Sequence, residues 1–263
     1  MNQSIITVSD VQKKISDGRY LLLAGDESVL EQLPPGNWIG GTIPYFITKE
    51  HGGLASREFI FVTDITDIAQ SVSIARYNKD TLANVYVEGP KQGFSFILIP
   101  AATDTHLSFA MNAPNYKSFG MSPLIGWIAG VHLDDIDTKT PKAFDGSTGG
   151  MIEDGALVMQ VELKPGKQAE IGIINLFEQG DGDTLTFPSD GFAAREVMVN
   201  GAPQNYAAYL RAHNLDTRLP IVADYYGALV SVSFQCINEV ENMVHFYAPV
   251  ELPLLNRTLQ VLQ

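Results

Sequence analysis

The chain of 263 residues contains one cysteine, Cys236. It can form no internal disulfide and no zinc site built from several thiolates. In residues 229–236 the even positions are Val230, Val232, Phe234 and Cys236. A strand puts these on one face, so Cys236 is expected in the core as a small hydrophobe. Basic residues are also scarce, 17 against 30 acidic ones, for a net charge of −13. Nucleic acid and anionic membrane surfaces both reward clustered Lys and Arg, so neither is an expected partner. No run approaches the roughly 18 apolar residues of a spanning helix. The start, Met1-Asn2-Gln3-Ser4-Ile5, has no basic stretch leading into an apolar one, and reads as cytoplasmic rather than secreted.

Chemical motifs are equally sparse. Neither a G-x-x-x-x-G-K-[ST] run nor a G-x-G-x-x-G run occurs, which argues against a P-loop or Rossmann phosphate site. A G-x-S-x-G nucleophile elbow is also missing. Ser122 and Thr42 carry hydroxyls beside turn residues, and a turn hydrogen bond accounts for either. No catalytic residue is assigned. The five histidines, His51, His106, His132, His213 and His245, are dispersed. The one dense run is His132-Leu133-Asp134-Asp135-Ile136-Asp137. Asp134, Asp135 and Asp137 are its weak candidates for a divalent cation held by oxygen, but the run lacks the glycine and terminal glutamate of an EF-hand. A solvated acidic loop is the preferred reading, and Asp181 and Asp183 between glycines are read alike. No cofactor is expected. His213 shares the apolar stripe of the clearest helix with Tyr206 and Tyr209, so it is the alternative position for a haem ligand, against a packed or capping histidine.

Apolar residues make up 45%, enough for a substantial core. The first half alternates strand and helix. A helix is expected over 9–17, then a buried strand over 20–24, then a second helix capped by Asp26. Strands follow at 58–65, 71–77 and 94–99, with a helix over 105–111. The second half reads as strand-rich, with a polar loop or hairpin over 138–150, strands at 156–163 and 169–177, and a helix over 203–214. These elements predict a mixed α+β fold of mainly antiparallel sheets packed with flanking helices.

Two glycine-bearing apolar segments stand out, each carrying one of the two tryptophans. They are Asn37-Trp38-Ile39-Gly40-Gly41-Thr42-Ile43-Pro44-Tyr45-Phe46 and Pro123-Leu124-Ile125-Gly126-Trp127-Ile128-Ala129-Gly130. Glycine inside such a run marks the close approach of another backbone or of a ligand. Trp38, Gly40, Gly41, Thr42, Tyr45, Gly126, Trp127 and Gly130 are therefore the candidate ligand-binding residues. The alternative is that the glycines serve close packing.

The order of these segments resembles the FIST family, a bacterial sensory domain. The likeness is carried by the strand–helix–glycine-turn order of residues 20–42 and by the stretch from Pro123 to Gly130. Asp154-Gly155-Ala156-Leu157-Val158 and residues 199–210 extend it. It implies a FIST-like layered sandwich with an N-terminal-like half over 1–120 and a C-terminal-like half over 121–263, or one continuous domain. It also implies a small-molecule ligand, amino acids being the candidate class, and a signal passed to a separate signalling protein, since no output domain is fused. A ligand-free interaction scaffold and a hydrolase-like enzyme using the same cleft are the alternatives.

Overall fold

The computed structural model describes residues 2–48, 52–177, 182–225, 228–250 and 259–261. It divides into two compact units, Met1–Ile171 and Gly172–Gln263. Residue 120, where the sequence suggested a boundary, lies inside the first unit.

The first unit begins with β1 (Asn2–Thr7), α1 (Val8–Ser16), β2 (Leu21–Gly25), α2 (Glu27–Leu30) and β3 (Trp38–Thr42). The hairpin β4 (Tyr45–Thr48) and β5 (Gly52–Ala55) follows, then β6 (Phe59–Asp64), β7 (Ala69–Tyr77), β8 (Gly93–Pro100), α3 (Asp104–Asn112) and β9 (Leu124–Ala129). It closes with β10 (Ala143–Asp145), β11 (Gly150–Ile152) and β12 (Ala156–Leu163). One sheet has six strands in the order β1-β6-β2-β3-β10-β11, and a second has four in the order β7-β12-β8-β9. Only β2–β3 and β8–β9 pair in parallel within these two sheets. Each parallel pair is bridged by a helix, α2 in the first and α3 in the second, because parallel neighbours need a crossover.

Local chemistry sets the helix starts. Thr7 caps α1 by accepting from Asp10 N, so the helix begins just ahead of the expected 9–17 span. Asp26 caps α2 as expected, accepting from Ser28 N. Val11 and Ile15, four apart on α1, are buried with Val29 and Leu30 of α2 against Leu21, Leu23, Ile60 and Val62. The other face of the six-stranded sheet, Leu22, Ile39 and Ala143, packs on Phe94, Leu98, Leu157 and Met159 of the four-stranded sheet. Being covered on both faces, β2 is apolar without alternation, and each buried leucine contributes about 1.5–3 kcal/mol. The outer face of the four-stranded sheet buries Ile97, Ile99, Ala156 and Val158 beneath Leu82 and Val85. The expected mixed, mainly antiparallel architecture with flanking helices is the observed one.

In the second unit lie β13 (Thr184–Thr186), β14 (Gly191–Ala194), β15 (Glu196–Val199), β16 (Ala202–Asn205), α4 (Tyr206–Ala212), β17 (Ile221–Tyr225), β18 (Ala228–Val232), β19 (Phe234–Asn238), β20 (Met243–Val250) and β21 (Leu259–Val261). Their sheets run β16-β15-β13-β21-β17-β18 and β14-β20-β19, and every pairing is antiparallel. The expected helix over 203–214 starts later, capped by Asn205, because Pro203 and Gln204 pair in β16. Residues 169–177, expected as a strand, form no regular element.

Cys236 is exposed rather than buried. A bulge explains the difference: Phe234 pairs with Phe246, but Cys236 pairs with His245, so β19 carries one extra residue there. The extra residue reverses the alternation after Phe234, and Ile237 rather than Cys236 packs on the core.

That core is aromatic. Phe187, Phe234, Phe246 and Tyr206 pack together with ring centroids 5.5–6.3 Å apart, Phe187 edge-on to Tyr206 and Phe246. The Tyr206 hydroxyl is buried among them with no hydrogen-bond partner among the described residues, and burial pushes its pKa up. Removing an unpartnered polar group while keeping the ring should help, so Tyr206→Phe is expected to stabilise the protein by about 1 kcal/mol. Urea unfolding followed by circular dichroism checks this. A lower midpoint for the variant would show that the hydroxyl holds a bond after all.

Candidate functional site

The ligand-binding candidates of the sequence lie in the first unit, on β3 and β9 and in the segments that follow them. Along β3 the side chains alternate, Trp38, Gly40 and Thr42 to one side and Ile39 and Gly41 to the other. Trp38 enters the helix-covered side, where its Nε1 donates to Pro34 O at 2.9 Å. Its ring fills the space that a side chain on Gly146 would need: a Cβ there would stand 2.5 Å from three ring atoms. A Cβ on Gly40 would stand 3.3 Å from the same ring. On the opposite side, Trp127 of β9 brings its Nε1 to 2.8 Å from the position a Gly41 Cβ would take. Each indole therefore rests on glycine, and the two tryptophans lie on opposite faces of the six-stranded sheet. They do not line one cleft.

The remaining glycines of the second segment differ. A Cβ on Gly126 would overlap the Ile97 carbonyl oxygen of the neighbouring strand. No described atom lies within 4 Å of a Gly130 Cβ, and Gly130 N donates to Thr42 O at 2.7 Å. That bond ties the carboxyl ends of β3 and β9 together.

Around this junction the chain builds a polar rim. Thr42 and Lys142 exchange backbone and hydroxyl bonds, with Thr42 N on Lys142 O and Lys142 N on Thr42 Oγ1, both at 2.9 Å. The Lys142 side chain is 13% exposed, and its ammonium sits between Glu27, with which it pairs closely, and Glu153 at 3.5 Å. The Glu27 hydrogen bond raises the Lys142 pKa despite partial burial, which keeps it cationic. Tyr45 accepts from Leu133 N at 2.9 Å and stacks on His132 with centroids 5.4 Å apart.

Asp135 bonds Arg57 at 2.6 Å and lies 3.2 Å from Lys139. The Arg57 bond lowers its pKa, and the cation count leaves its carboxylate already neutralised. Asp134 is exposed, with an oxygen 3.4 Å from His132 Nδ1, and Asp137 is exposed as well. Among the described residues no three His, Cys, Asp or Glu side chains are grouped to hold a metal ion. In the second unit His213 is the C-cap of α4, with its Nδ1 3.0 Å from Tyr209 O and its ring 4.4 Å from the Tyr209 ring. That is the capping geometry, and the exposed ring lies outside the aromatic core, so the site does not suit an enclosed haem. His51 and Asp181 lie outside the described residues.

Glu27, Arg57, Lys142 and Glu153 were not singled out in the sequence. Lys142 and Glu27 are separated by 115 positions, and no local spacing announces such a pair.

Among the described residues no helix is long and apolar enough to cross a membrane. No curated protein matches the chain, and no solved structure does. The FIST resemblance does not hold, because the family model that matches residues 6–254 is a different one. Its short motifs have a simpler cause: glycine recurs wherever an indole or a neighbouring strand must come close, in any fold. By that match over nearly its whole length, the chain belongs to DUF6976, a family of unknown function.

Proposed function

We propose that the chain is a small-molecule-binding protein whose ligand docks at the polar rim formed by Lys142, Thr42, Tyr45 and His132. The observation that carries this reading is Lys142, whose mostly buried side chain brings a cation between Glu27 and Glu153 beside Thr42 at the end of β3. Carboxyl ends of parallel strands are the customary ligand position in α/β sheets. A zwitterionic metabolite matches the alternation of charge, its carboxylate taking Lys142 and its ammonium taking Glu27 or Glu153; amino acids are the class to test first. Lys142 and Asp135 are both shifted away from neutrality, so they supply fixed charges rather than exchangeable protons. This favours binding over acid–base catalysis.

Thermal unfolding of the whole chain with each of the twenty amino acids tests the reading. A ligand at a hundredfold its Kd is expected to stabilise by about 2.7 kcal/mol. Lys142→Met should abolish the effect and Glu153→Gln, at an exposed partner, should weaken it while leaving the fold intact. Twenty flat titrations of the wild-type protein would sink the proposal. They would favour a scaffold reading instead, for which the exposed Ile173, Ile174 and Leu176 offer apolar contact surface.

A further inference from the structure

The four-stranded sheet ends in β7 on one side and in β9 on the other. An edge strand presents unpaired backbone N–H and C=O groups, a template for a further strand, and proteins commonly guard such edges with charge, proline or a bulge. β7 carries Arg76, and its register against β12 shifts near Ala69. In the second unit the edge strand β16 contains Pro203, which has no N–H to offer. β9 has none of these guards. It runs Leu124-Ile125-Gly126-Trp127-Ile128-Ala129 in unbroken register with β8.

The two ends of the β8–β9 ladder show which of its backbone groups are free. Ser95 N donates to Pro123 O at 2.8 Å, and Ala101 N donates to Ala129 O at 3.0 Å. Backbone groups alternate in direction along a strand, so the odd-numbered residues of β9 turn theirs towards β8. Leu124, Gly126 and Ile128 turn both N–H and C=O outward, and no described backbone group bonds them. Leu124 and Ile128 pack on the outer core of the sheet, and Trp127 packs on the inner one. Ile125 shares the side of Trp127 and is 38% exposed. Met121, just before the strand, is 82% exposed. From Ser118 to Val131 no residue is charged, in a chain whose net charge is −13.

We propose that β9 is the contact surface between two copies of this chain, which join edge to edge, antiparallel, about a two-fold axis at Gly126. A second copy fits because the free groups are self-complementary. That register sets Leu124 opposite Ile128 of the second copy and Gly126 opposite its own equivalent, so each outward N–H meets an outward C=O. It also sets Ile125 opposite Trp127 of the second copy, a β-branched and aromatic pair of the kind that stabilises sheets, and covers the exposed isoleucine. Two strongly acidic copies repel, and the uncharged stretch lets them meet with no like charges in contact.

Sedimentation velocity of the full chain, from micromolar to near-millimolar concentration, tests the assignment. The wild-type protein is expected to pass from monomer to dimer. Ile125→Lys should weaken the dimer roughly tenfold or more, because the axis makes the two lysines diagonal neighbours on one face. Gln70→Lys, at an exposed position of the opposite edge, should leave the dimer unchanged. Circular dichroism should show both variants folded. Hydrogen exchange of the wild-type protein gives a second readout that needs no variant: the amides of Leu124, Gly126 and Ile128 should gain protection as concentration rises. A monomer at every concentration would overturn the assignment and leave the edge to an extended segment of another protein. A dimer untouched by Ile125→Lys, or lost in Gln70→Lys, would overturn it too, as would protection of these amides that does not change with concentration.

Discussion

Gly126→Ala is expected to destabilise the first unit by about 3 kcal/mol or more, whereas Gly130→Ala, four residues away, should cost less than about 0.5 kcal/mol. The difference is purely one of what a methyl group meets. At Gly126 it meets the Ile97 carbonyl oxygen, a backbone atom that no rotamer change can move aside. Relief requires β9 to separate from β8, and that opens the parallel ladder from Ser95–Leu124 to Pro100–Ala129. At Gly130 a methyl group meets no described atom within 4 Å, and φ lies outside the positive range. Urea unfolding followed by tryptophan fluorescence reports on this unit specifically, since Trp38 and Trp127 both lie in it. Equal midpoints for the two variants would show that β8 and β9 do not approach this closely.

Trp38→Ala is the second large effect, with an expected loss of about 3–5 kcal/mol. Trp38 is 2% exposed, packs with Leu30 and Phe144, and holds the Pro34 carbonyl through Nε1. Its removal also tests why residue 146 is glycine. Gly146 does not have the positive φ that only glycine adopts readily. Its intolerance should come from the indole ring 2.5 Å from where its Cβ would be. Gly146→Ala alone is therefore expected to cost several kcal/mol, and in the Trp38→Ala background nearly nothing. A full cost in both backgrounds would place the constraint in the backbone instead.

The pairing of tryptophan with glycine shows how far the sequence could be read. Glycine within Trp38–Thr42 and Leu124–Ala129 correctly announced close approach. What approaches was invisible: at Gly41 the occupant is Trp127, 86 positions away in the chain. The same ambiguity made the FIST resemblance persuasive, because a few glycines and apolar residues in order satisfy many families. Cap chemistry was legible at Asp26, where the carboxylate reaches a backbone N–H two residues on. It shifted at Thr7, where two hydroxyl-bearing residues compete. Cys236 was misplaced because a bulge adds one residue, and alternation carries no warning of where it is interrupted.

The rim was legible only in part. Thr42 and Tyr45 were marked by their nearness to the glycines, and Asp135 by its acidic run. The pairing of Lys142 with Glu27 and Glu153, and of Asp135 with Arg57, depends on which strand ends the sheet brings together. The sequence by itself determined the class of fold and most of the local elements, because periodicity and capping act over a few residues. Only the tertiary structure decided which glycine faces an indole, a carbonyl or open space, and which charges meet. Those outcomes depend on sheet order and register, and a register shift of one residue would move every one of them to the other face.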